Sequence, residues 1–85
     1  MRFPKRLKIG ANIYRVVVKK DLEDSGTCDT EKCLIEIKKQ KKSQMWATLF
    51  HEVIHAMNIQ MSHREVEWIS QGFWQILYDN NLLKP

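Results

Sequence analysis

Residues 43–57 read Ser43-Gln44-Met45-Trp46-Ala47-Thr48-Leu49-Phe50-His51-Glu52-Val53-Ile54-His55-Ala56-Met57. Trp46, Leu49, Phe50, Val53 and Met57 recur at the three- and four-residue steps that put side chains on one helical face. Ser43 is a favoured N-cap, so a helix is expected from there to about residues 58–61. Within it, His51-Glu52-Val53-Ile54-His55 is H-E-x-x-H. Four residues of helix advance about 400°, so the two imidazoles emerge about 40° apart and one turn displaced. Both can then reach one zinc ion at about 2.0–2.1 Å. Glu52 is about 100° round from His51, outside the ligand shell but within reach of a zinc-bound water. A carboxylate placed there can take the water's proton during attack on a carbonyl. By ordinary residue frequencies the pattern arises by chance on the order of once in a few hundred chains of this length, and the periodic helix around it makes coincidence rarer still.

A second helix is expected C-terminal to the first. Ser62-His63-Arg64-Glu65 matches the S-x-x-E capping box. Val66, Ile69, Phe73 and Leu77 form an apolar stripe at helical spacing, and Asn80-Asn81 ends the run. N-terminal to residue 43 the pattern is that of strands. Leu7, Ile9, Ile13, Tyr14, Val16, Val17 and Val18 suit a hairpin of about residues 5–9 and 12–20, turning at Gly10-Ala11-Asn12. Residues 21–26 are a polar loop. Residues 27–30 and 33–38 suit a second hairpin turning near Thr30-Glu31-Lys32. The expected fold is α+β: a small antiparallel or mixed sheet of three to four strands, then two helices. The 85 residues make one domain, with residues 1–42 as the sheet, 43–61 as the H-E-x-x-H helix and 62–80 as the second helix. Trp46, Leu49, Phe50, Val53, Ile69, Phe73 and Leu77 are the expected core. A chain this short buries only about 60–65% of its unfolded surface, so a metal joining two segments would add to its stability.

A catalytic zinc generally takes three protein ligands and a water. The second helix offers His63, Glu65, Glu67 and, near its end, Asp79. Glu65 is engaged by the capping box. Glu67 is followed one turn later by Ser70, a small residue that lets two helices approach closely. Glu67 is therefore preferred as the third ligand, with His51 and His55.

These residues resemble the zincin metallopeptidases, and within them the gluzincins, whose third ligand is a glutamate on the following helix. The resemblance is carried by Thr48-Leu49-Phe50-His51-Glu52-Val53-Ile54-His55 and by Val66-Glu67-Trp68-Ile69-Ser70 with Asp79-Asn80. It is similar to short zincin-like proteins encoded in phages and prophages, over residues 43–80 and only loosely over the strands. The resemblance implies His51, His55 and Glu67 as zinc ligands, Glu52 as general base and acid, and hydrolysis of peptide bonds in a peptide or protein substrate. The metzincin extension is absent, because positions 58 and 61 are Asn58 and Met61. Larger gluzincins carry an extra subdomain with an oxyanion-stabilising Tyr or His. Here Tyr78, His63 and Tyr14 are the local candidates. The competing expectation is a catalytically weak or inactive zincin-fold binding or regulatory module. In zincins the strand before the active helix borders the cleft, which assigns Cys33–Lys38 as an unpaired edge available to substrate, or to a second copy in a homodimer.

The remaining features are less specific. Net charge is +4, with Lys38, Lys39, Lys41 and Lys42 clustered. That cluster reads first as a solvated loop, and then as a preference for acidic substrates; no nucleic-acid reading motif accompanies it, so nucleic acid is not an expected partner. Cys28 and Cys33 read as hairpin thiols able to form a disulfide if oxidised. Cys33 also echoes the metal-binding cysteine of peptide deformylases, whose other signatures are missing. Nothing resembles a signal peptide and no apolar run approaches about 18 residues, so a cytoplasmic protein without a membrane partner is expected.

Overall fold

The computed structural model describes residues 2–57 and 62–80. Four strands precede two helices: β1 (Arg6–Ile9), β2 (Asn12–Lys19), β3 (Gly26–Asp29), β4 (Leu34–Lys38), α1 (Lys42–Ala56) and α2 (His63–Asp79). The fold is α+β. The strand order is β1-β2-β4-β3. Both hairpins are antiparallel, Leu7 opposite Tyr14 in the first and Cys28 opposite Ile35 in the second. They join through a parallel pairing of β2 with β4, Val16 beside Ile35, so the sheet is mixed.

Local chemistry accounts for the turns. Gly10 has φ +61°, a left-handed conformation that costs glycine nothing and strains other residues. At the second turn the Asp29 carboxylate accepts from the Glu31 and Lys32 backbone N–H groups, each at 3.0 Å. Strand alternation sorts the faces. Ile35 and Ile37 of β4 point inward with Tyr14 and Val16 of β2, against Met45, Trp46 and Leu49 of α1. Leu34, Glu36 and Lys38 face the other way, where Glu36 pairs with Lys19.

Several expectations need correction. The helix starts at Lys42, one residue before the expected Ser43, and Lys41 at its N-cap position makes no side-chain capping bond. Its expected extension over residues 58–61 lies outside the described residues, as does Asn81. Residues 33–38 do not supply a free edge: β4 lies between β2 and β3, because the two hairpins join side by side. The edge strand beside α1 is β3. The expected core also shifts. Trp46 and Leu49 are buried and Phe50 and Val53 partly so, but Ile69 and Phe73 are exposed and Leu77 is half-buried. The face of α2 that meets α1 carries Val66, Ser70 and Trp74, rotated by about 60° from the mean direction of the expected stripe, with which it shares Val66. The reason is Ser70. Its small side chain, 2% exposed, donates to its own helix at Val66 O (2.7 Å) and keeps the two helices close. Trp74 then stacks on Trp46 with ring centroids 6.2 Å apart.

The Ser62 capping box is present in both directions, each bond 3.1 Å. No described helix is long and apolar enough to cross a membrane.

Candidate metal centre

His51, Glu52 and His55 lie in the C-terminal half of α1, where the helix passes β3 on one side and α2 on the other. Helical spacing brings the Nε2 atoms of His51 and His55 to 3.1 Å from each other. Two nitrogens bound to one tetrahedral ion at about 2.0–2.1 Å lie about 3.3–3.4 Å apart, so the pair is close to the separation that zinc requires. His51 is 7% exposed. Burial, and then the neighbouring His55, pull its pKa below the ordinary histidine value. A neutral ring keeps its lone pair available to a metal near pH 7.

Two side chains of α2 approach this pair. The His63 ring lies edge-on to His51, centroids 4.8 Å apart. His51, His55 and His63 each offer a nitrogen within 4.8 Å of the others. Glu67 touches His51 through Oε1, but at Nδ1 (3.4 Å), the nitrogen on the other side of the ring from the His55 contact. His63 and Glu67 are four residues apart and share one face of α2. The structure thus brings His51 and His55 together with His63, whereas Glu67, the expected third ligand, lies beside them at His51 Nδ1 and outside the three-nitrogen cluster. Glu65 is held by the capping box, which lowers its pKa. Cys33 is not in the histidine cluster, and Cys28 and Cys33 are free thiols. Burial, followed by the Glu52 carboxylate, pushes Cys28 up to about 11, which keeps it protonated and unreactive.

Glu52 is 7% exposed. Burial, and secondarily the Asp24 carboxylate, raise its pKa to about 7. The residue that shapes its surroundings is Gly26, at the start of β3. A Cβ built there would stand 2.6 Å from Thr48 Cγ2, 3.1 Å from the Glu36 carbonyl oxygen and 3.3 Å from Glu52 Cγ. The edge strand therefore lies against the helix carrying Glu52 because position 26 has no side chain. Gly26→Ala is expected to destabilise the protein by about 1–3 kcal/mol, since the backbone carbonyl cannot yield. Urea denaturation measures this, and an unchanged midpoint would contradict the tight packing.

These groups line a cleft of about 820 Å³ between β3, α1 and α2, bounded also by Asp24, Gln40 and Trp74. That volume suits a drug-sized or peptide ligand. Among the described residues no lysine lines it, whereas Asp24, Glu52 and Glu67 do. Of the three oxyanion candidates only His63 borders the cleft: Tyr14 is buried against the sheet, and Tyr78 is exposed beside Trp74. Sequence reading passed over Gly26 and Asp24, which sat in a stretch read as polar loop, and ranked His63 below Glu67. The one signal for His63 was its four-residue spacing from Glu67. Neither family models, nor curated proteins, nor solved structures give a match to this chain, so its function must be argued from its own residues.

Proposed function

We propose that this protein is a zinc-dependent hydrolase of peptide bonds. The observation that carries the proposal is the convergence of His51 Nε2 and His55 Nε2 at 3.1 Å beside a buried glutamate whose pKa is near 7. His51 and His55 hold the metal, and Glu67 is the proposed third donor, an oxygen donor that suits zinc. Zinc, when bound, supplies Lewis acidity in the cleft, acidifying water and polarising a carbonyl. Glu52 takes a proton from the attacking water and returns it to the departing amine. A pKa near the working pH suits both transfers. The free edge of β3 gives an extended peptide backbone hydrogen-bonding partners alongside Glu52. Burial of Glu52 on the inner wall keeps the charge of its carboxylate from being dispersed by solvent.

A second reading rests on His63. If His63 and Glu67 both bind, the four protein donors close the shell, as in structural zinc sites, and leave no position for water. The protein would then be a zinc-stabilised binding module.

The two α2 donors can be separated by experiment. Glu67→Gln is expected to weaken zinc binding by more than about 100-fold, and His63→Ala by about 10–100-fold, the range typical of an outer-shell partner. The reverse order would make His63 the ligand and Glu67 the partner that orients His51 through Nδ1. Large losses in both variants, without peptide cleavage by the wild type, would favour the closed module. About one zinc per purified chain is expected. A wild type that holds none, like His51→Ala, would remove both readings.

A further inference from the structure

We infer that α2 is a self-association surface, through which two copies of this chain pair as an antiparallel dimer crossing at Gly72. The outer face of α2 exposes Trp68 (69%), Phe73 (56%), Ile76 (51%) and Ile69 (36%). At 100° per residue these four span one side of the helix, nearly opposite His63 and Glu67. Gly72 sits in the middle of them, one turn after Trp68 and one turn before Ile76.

Among the described residues nothing explains that glycine. A Cβ added at position 72 would meet none of their atoms within 4 Å, and the residue stands mid-helix, where glycine is the least favourable choice after proline. A surface approaching from outside would make use of the missing side chain. Trp68 and Ile76 form a ridge with a notch at Gly72, and Ile69 and Phe73 form the flank. A two-fold axis through the notch sets the Ile76 side of one helix against the Trp68 side of the other, so the stripe is complementary to itself. The ends agree. Arg64 stacks over Trp68 at 5.3 Å, and Asp79 lies at the opposite end of α2. An antiparallel copy brings Arg64 to the end that carries the partner's Asp79.

The area fits a dimer. Large aromatic side chains bury about 150–250 Å² each when fully covered, and at these exposures the stripe offers on the order of 450 Å² per copy. With the flanking polar stems, pairing would bury on the order of 1,000 Å² in total, the lower limit for a specific interface. The metal-centre residues lie on the other side of α2, so pairing leaves the cleft open.

The test is sedimentation of the full chain from about 1 to about 200 µM, a range that brackets an interface of this size. The wild type is expected to pass from monomer to dimer in that range. Phe73→Glu is expected to stay monomeric throughout. Gly72→Leu provides the control for folding: it fills the notch, has room within its own chain and is a better helix former. It is expected to keep or raise the melting temperature of the monomer while weakening dimerisation at least about tenfold. A wild type that stays monomeric at the highest concentration overturns the inference. So does a dimer that survives both substitutions, which would place the interface elsewhere, for example on the sheet edge.

Discussion

Chelating zinc from the purified protein is expected to lower its melting temperature by roughly 15–30 °C, and His51→Ala is expected to abolish that response. The size follows from how α2 is attached. Among its described residues only Val66 and Ser70 are fully buried, with Trp74 adding a stack on Trp46. Burial of this extent holds a 17-residue helix weakly. His63 and Glu67 lie on the same inner face as those contacts and reach towards His51 and His55 on α1. An ion shared between the helices would therefore tie down the element with the least packing of its own. A ligand present at about a thousand times its Kd stabilises by about 4 kcal/mol. For a domain of this size each kcal/mol shifts the melting temperature by about 4–8 °C. The measurement is a thermal melt with and without chelator, read by circular dichroism for wild type and variant. Coincident wild-type melts in the two conditions would mean that the two-helix site does not hold metal.

The features legible in the sequence were those set by local spacing. The His51–His55 pair and the Trp46–Leu49 face follow from helical periodicity. The Ser62–Glu65 box follows from the needs of a helix N-terminus, and the two hairpins follow from the alternating strands about Gly10-Ala11-Asn12 and Thr30-Glu31-Lys32. What was not legible depends on pairing between distant segments. No local signal specifies that β2 lies parallel to β4, so nothing showed that β4 would be interior and β3 the edge. That in turn hid Gly26, whose role exists only because β3 and α1 come together. The orientation of α2 is the most instructive miss. Hydrophobicity pointed to Val66, Ile69, Phe73 and Leu77 as the packed face, yet of these only Val66 is buried, and the helix meets α1 through Val66, Ser70 and Trp74. An apolar stripe reports that a surface avoids water, not which neighbour covers it. The small residue Ser70 was the better guide, because close helix approach depends on size.

Glu52→Gln is expected to reduce peptide cleavage by about 10²- to 10⁴-fold, the usual contribution of a general base, while changing zinc affinity little. The same substitution should make the metal-free protein more stable at alkaline pH. The sign follows from the direction of the shift. The folded-state pKa of Glu52 is about 7, above the value of about 4.3 for a free glutamate. Between those values the native state binds more protons than the unfolded state, so stability falls as pH rises and the loss is complete above about pH 7–8. Above that range the metal-free fold carries a buried carboxylate facing Asp24, and glutamine removes the charge while keeping the shape. Allowing for residual solvent screening, the gain at pH 8 is on the order of 1–2 kcal/mol, or about 5–10 °C in melting temperature, and it fades towards pH 4–5. Cleavage assays on zinc-loaded protein and melts of chelated protein at both pH values measure the two effects separately. A variant that cleaves like the wild type would remove Glu52 from the chemistry. A variant that loses both activity and metal-free stability would show that Glu52 supports the fold instead of straining it. Opposite signs from one substitution are what a charge buried for function should produce: the glutamate destabilises the empty protein in the ionised form that the proposed hydrolysis would require.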